Sequence, residues 1–128
     1  KNAIEISEKA FKKYCKSTKQ YVPETMGEIA RGIYESLAFK YTEVIKELEE
    51  LTNKEIDTIN IVGGGSRADL LCQYTANISR KEIIAGPVEA TAAGNILAQL
   101  IAANEIKNLK EGRQLIKNSF EQKKYYPE

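Results

Sequence analysis

The stretch "INIVGGGSRADLLCQYTANIS", Ile59 to Ser79, joins a β-branched run to a helical one through three consecutive glycines. Glycine loses more backbone freedom on folding than any other residue, so three together imply a tight turn or a main chain that lies against something. Thr58, Ile59, Ile61 and Val62 read as a short strand, which Gly63, Gly64 and Gly65 end. Ser66 and Asp69 follow at capping-box spacing and predict a helix through about Ile78. A strand that ends in glycines and enters a capped helix gathers main-chain N–H groups at a positive helix end, which favours an anion such as phosphate. A tight turn with no ligand uses the same residues, and both readings stand at this point.

Downstream, "KEIIAGP" reads as a second strand stopped by Gly86-Pro87, with Pro87 suited to the first turn of the next helix. That helix, "VEATAAGNILAQLIAANEI", carries Ala90, Ala93 and Gly94, small residues that suggest close approach to a neighbour. Upstream, Thr25 and Glu28 form a capping box for a long helix over 24–52. Its apolar residues Met26, Ile29, Ile33, Leu37, Ala38, Tyr41, Val44, Ile45, Leu48 and Leu51 form one stripe, expected to pack on a sheet. The first segment predicts a helix to about Cys15, with Ile4, Phe11, Tyr14 and Cys15 inward, Ile6 off that face and its lysines in water. Asn108 and Glu111 open a last helix carrying Leu109, Leu115, Ile116 and Phe120, and "EQKKYYPE" reads as a tail.

The resulting organisation is an entry helix and loop over 1–22, a long helix plus βαβα core over 23–107, and a terminal helix and tail over 108–128. Alternating strands and helices predict an α/β, helix-rich fold with two or three short parallel strands. So few strands do not make a self-sufficient sheet. The completing strands are therefore expected outside this segment or in a second copy, by self-association through the incomplete sheet. The opening Lys1, in place of Met, points the same way.

A net charge of +1 advertises neither nucleic acid nor an anionic membrane. Apolar runs are too short to span a bilayer, and no secretory signal opens the chain. Cys15 and Cys72 stand far apart, as expected of buried, reduced thiols in a cytoplasmic protein. The chain has no histidine, which removes Ser-His-Asp and Cys-His sites and histidine-ligated metals. No lysine follows the glycines as a Walker A loop requires. Gly63, Gly65 and Ala68 satisfy a dinucleotide fingerprint, yet the next strand ends in Ile84, Ala85, Gly86 and Pro87 without the acidic residue a ribose needs. What remains is a turn that contacts adenosine while chemistry proceeds elsewhere, against a stand-alone module docking through helix 24–52.

Taken together, "IVGGGSRADLLCQYTANIS" and "IIAGPVEATAAGNILAQLIA" resemble the C-terminal part of the FGGY family of carbohydrate kinases. With "VPETMGEIARGIYESLAFKY" upstream, the likeness is strongest to members that act on L-rhamnulose, with a kinase for another sugar of the same family as the alternative, and it runs from about Tyr14 to Phe120. The resemblance implies part of the second, nucleotide-binding domain of an actin-like, ribonuclease-H-like ATPase. It implies ATP or ADP with magnesium as cofactors of the complete enzyme, none held by this segment alone, and the remainder of the kinase chain as partner. Gly64, Gly65, Ser66 and Asp69 take the nucleotide-binding positions, with Gly63 and Glu89 supporting the turn. Arg67 and Ala68 stand where many members read Gln-Asn. The phosphate loop and the aspartate general base of the family are absent from this chain, so no catalytic residue is expected here and the segment alone is expected to be inactive.

Overall fold

The computed structural model describes residues 2–128, with side chains from Glu5 onward. Helix α1 (Asn2–Ser17) precedes the long helix α2 (Met26–Thr52). On α1, Cys15 is buried, Phe11 is half-buried and Ile6 is exposed, but Tyr14 points to solvent rather than inward; the side chain of Ile4 lies outside the described residues. The start of α2 carries the expected capping box. The Thr25 hydroxyl accepts the Glu28 N–H at 3.2 Å, and the Glu28 carboxylate accepts the N–H groups of Thr25 at 3.1 Å and Glu24 at 2.7 Å. These bonds satisfy donors that a helix start otherwise leaves without partners, and they hold the Glu28 carboxyl below its usual range. The helix ends at Asn53, in the left-handed conformation that asparagine tolerates.

Strand β1 (Thr58–Ile61) leads into a 3-10 turn (Gly63–Arg67), helix α3 (Asp69–Ser79) and strand β2 (Glu82–Ala85). β1 and β2 pair in parallel, with Ile59 opposite Ile83 and Ile61 opposite Ala85. Helices α4 (Ala90–Ala102) and α5 (Leu109–Ser119) follow, and β3 (Lys123–Tyr125) joins β2 antiparallel, giving the order β1-β2-β3. The last residues are thus an edge strand where a tail was expected. Asn108 caps α5 as anticipated, accepting the N–H groups of Lys110 and Glu111.

The core lies between α3 and the sheet. Cys72 and Ala76 on α3 meet Ile83 and Ala85 on β2, with Ile59, Ile61 and Tyr125 packed around them. Helix α2 does not pack on the sheet, as its apolar stripe suggested, but along the outer side of α3. Small buried residues, Ala38 and Thr42 on α2 and Thr75 on α3, leave room for that approach, and both threonine hydroxyls donate to the carbonyl four residues back, leaving no buried donor unmet. Meanwhile Ile33, Leu37, Tyr41, Val44, Leu48 and Leu51 face solvent. Glu49 ties the layers together. Its carboxylate accepts the Ile56 N–H at 2.8 Å and pairs with Lys81 at 2.7 Å, and both contacts lower its pKa.

Two further sequence expectations need correction. Pro87 lies upstream of Glu89, the N-cap of α4, and its carbonyl accepts the Gly63 N–H at 3.2 Å. Gly94 faces open space, and the close helix approach occurs instead at Gly112 of α5, where an added Cβ would come within 3.2 Å of Leu97.

Gly86 is the least replaceable glycine. It sits at φ +112, and a Cβ there would stand 3.0 Å from the Glu121 carbonyl oxygen. Gly86→Ala is expected to destabilise the chain by roughly 2–4 kcal/mol in urea unfolding, through strain and clash together. Gly63→Ala, at φ +72 with no atom nearer than 4.0 Å, is expected to cost only about 1–2 kcal/mol.

Candidate functional site

The glycines lie where the two parallel strands end. Gly86 donates its N–H to the Ile61 carbonyl at 2.8 Å, and Gly63 donates to Pro87. These two bonds continue the β1–β2 ladder beyond the strands and then let the chains part. After Gly63 the main chain winds through a 3-10 turn, closed by Ala68 N–H to the Gly65 carbonyl at 3.1 Å. Ser66, expected to cap α3, is buried and donates its hydroxyl back to the Gly63 carbonyl at 2.7 Å. The N-cap of α3 is Ala68, without a side-chain bond. The inserted turn of 3-10 helix displaces Ser66 from the position a capping box requires.

A cleft of about 310 Å3 opens at the carboxyl ends of β1 and β2, lined by Ser66, Arg67, Ala85, Gly86, Val88, Glu121 and Lys123. Ligands of open α/β sheets bind outside the carboxyl ends of the parallel strands, where chains diverge. Of the residues singled out from sequence, only Ser66 enters this lining. Gly64 and Gly65 stand beside it on exposed main chain, and a Cβ on Gly64 would meet nothing within 4 Å. Glu89 is exposed, and no hydrogen bond joins its carboxylate to the turn among the described residues. The turn is held instead by the backbone of Pro87.

Asp69 bonds to β3. Its carboxylate accepts the Tyr125 hydroxyl at 2.6 Å and pairs with Lys123 at 3.2 Å, fastening the start of α3 to β3. The phenol and the lysine hold the Asp69 carboxyl below its usual range, and that bond pushes Tyr125 up to about 12. Arg67, Glu121 and Lys123 are the cleft residues that sequence reasoning missed, the last two because "EQKKYYPE" carries too short a strand signal. The donors suit an anion with a flat portion: exposed glycine main chain beside Arg67 and Lys123. Among the described residues no group of three acidic, cysteine or histidine side chains is placed to hold a metal ion.

A hollow of about 570 Å3 between α1 and α2, lined in part by Phe11, Tyr21, Gly32 and Phe39, is larger but lies on separate elements. Its charged groups are already engaged, Glu28 in the capping box and Arg31 with Glu35 at 2.8 Å.

The model of the C-terminal domain of the FGGY family of carbohydrate kinases matches residues 8–103. The chain belongs to that family. Its helix-rich arrangement with a short mixed sheet is part of the family's actin-like, ribonuclease-H-like ATPase fold. The chain is 50% identical to the rhamnulokinase of Bacillus subtilis over 93% of its length, and 50% identical to that of Ligilactobacillus salivarius over 90%. It is 45% identical to the rhamnulokinase of Bacteroides thetaiotaomicron over 94%. It spans about a quarter of the length of these relatives (24%, 24% and 25%). No helix among the described residues is long and apolar enough to cross a membrane.

The Asp69–Tyr125 bond has a defined pH window. Asp69, lowered on folding, contributes fully above the usual aspartate value of about 4 and loses that contribution as pH falls through its depressed pKa. Tyr125, raised, contributes fully below the usual tyrosine value of about 10 and loses it as pH rises. Lys123 and Cys72 are the other titratable groups whose charges act on this pair. Ring signals of Tyr125, followed by NMR, are expected to titrate near 12. In Asp69→Asn the midpoint should fall toward about 10.

Proposed function

We propose that this segment is the C-terminal part of the nucleotide-binding domain of an L-rhamnulose kinase, a cytoplasmic enzyme that transfers the γ-phosphoryl of ATP to L-rhamnulose. The observation that carries the reading is the 50% identity to a rhamnulokinase over 93% of the chain. The open main chain at Gly64 and Gly65, beside a cleft at the strand ends, supports a contact to adenosine. Ser66 supports that contact indirectly, by closing the turn. ATP with magnesium would supply the reacting phosphoryl group. This chain would bind and orient the nucleotide, while the general base and the sugar contacts lie in the remainder of the kinase. Such transfer depends on positioning and charge stabilisation, so one wall of the cleft does not sustain it.

That remainder is also the partner best suited to the exposed apolar residues of α2 and to the free edge of β1. An unpaired strand edge and an uncovered apolar stripe both favour association. The isolated chain is therefore expected to sediment as a dimer or larger species, and a stable monomer would overturn this point. The complete protein is expected to phosphorylate L-rhamnulose with ATP, and the chain alone to show no transfer. ADP added to the complete protein should shift the amide signals of Gly64, Gly65 and Ser66. Absence of L-rhamnulose phosphorylation by the complete protein would reject the L-rhamnulose assignment in favour of another sugar of the same family.

A further inference from the structure

Residues 121–128 lie outside the span matched by the family model, yet they are bound to α3 over its whole length. The anchors descend one side of the helix. Asp69 accepts the Tyr125 hydroxyl and pairs with Lys123. Gln73 donates its side-chain amide to the Tyr126 carbonyl at 2.8 Å. Asn77 accepts the Glu128 N–H at 3.1 Å, and Arg80 donates to the Glu128 carbonyl at 3.1 Å. Positions 69, 73, 77 and 80 recur at the helical spacing of three and four, so one face of α3 is given to this segment. On its other edge β3 pairs with β2, and Lys124 meets Glu82 at 2.8 Å. The segment is therefore fixed both to the helix that follows the glycine turn and to the strand that faces it.

The cleft depends on this placement. Its lining draws Ser66 and Arg67 from the glycine turn, Ala85, Gly86 and Val88 from the end of β2 and the chain beyond it, and Glu121 and Lys123 from this segment. Gly86 allows the Glu121 backbone to approach so closely that a Cβ would stand 3.0 Å from its carbonyl oxygen. Glu121 and Lys123 are the part of the lining that this segment supplies.

We propose that residues 121–128 act as a strap that builds the outer wall of the glycine-turn cleft and sets its width for the nucleotide, with Asp69 and Gln73 as positioning residues. This rests on the kinase reading above. Asp69 thereby serves the site through β3 rather than by touching a ribose.

Two uncharged substitutions test it in the complete kinase without altering the charge of the cleft. Tyr125→Phe removes the hydroxyl bound to Asp69, and Gln73→Ala removes the bond to Tyr126. Each is expected to speed hydrogen exchange at residues 123–126 and to weaken ADP binding by roughly three- to tenfold, about the worth of one hydrogen bond. The KM for ATP should rise while kcat at saturating ATP and L-rhamnulose binding stay unchanged. If exchange quickens and the ADP affinity is unchanged, the strap is not part of the site and the proposal falls alone. If both variants bind ADP normally with no change in exchange, the anchors do not hold the strand and it falls as well. A wild-type kinase that binds no ADP would overturn the functional reading and the strap together.

Discussion

Two backbone hydrogen bonds organise this structure, Gly86 N–H to the Ile61 carbonyl and Gly63 N–H to the Pro87 carbonyl. They form where side chains cannot follow, since both glycines occupy positive φ. Each lies just past a strand end, so the parallel pairing of β1 and β2 is carried one step further before the chains diverge. The divergence creates the cleft, and the tight turn after Gly63 sets where α3 begins. From there α3 can return over the sheet with Cys72 and Ala76 against Ile83 and Ala85. Glycine is required here for geometry, while at Gly64 it leaves the surface bare.

The layering above the sheet follows from side-chain size. α3 is buried on both sides, against strands and against α2, and it meets them with Cys72, Ala76 and Thr75. Small residues bring helices close and maximise contact between well-packed surfaces. The larger residues of α2 then point away from this core, which is why so long a helix leaves Ile33, Leu37, Val44 and Leu48 partly in water. Glu49 adds a tie between α2 and the starts of both parallel strands, through the Ile56 N–H ahead of β1 and Lys81 ahead of β2.

The parts of the fold legible in the sequence are those fixed by local chemistry. The α2 capping box, the Asn108 cap and the two parallel strands flanking a helix are set by residues within a few positions of each other. The glycine turn was legible as a turn, but its 3-10 winding was not, because the decisive bond from Gly63 reaches Pro87 across the crossover. The direction of the α2 stripe also escaped, since periodicity marks an apolar face without naming what covers it. Of the proposed site residues, Ser66 lies in the cleft lining and Gly64 and Gly65 lie exposed beside it. Arg67, Glu121 and Lys123 were not legible in the sequence, for the last two reach the cleft only through β3, a three-residue strand whose pairing is long-range. The bond from Asp69 to Tyr125 was obscured for the same reason.

Cys72 adds a practical property. Its thiol is fully buried between α3 and β2, its sulfur is 3.9 Å from the Gly65 carbonyl, and burial pushes its pKa up. An alkylating reagent reaches it only when the helix lifts from the strands. The rate of its modification is thus a clock for breathing of the layer beneath the glycine bend, read at a residue the chain already carries. A nucleotide that rests on that bend would slow the clock from the outside.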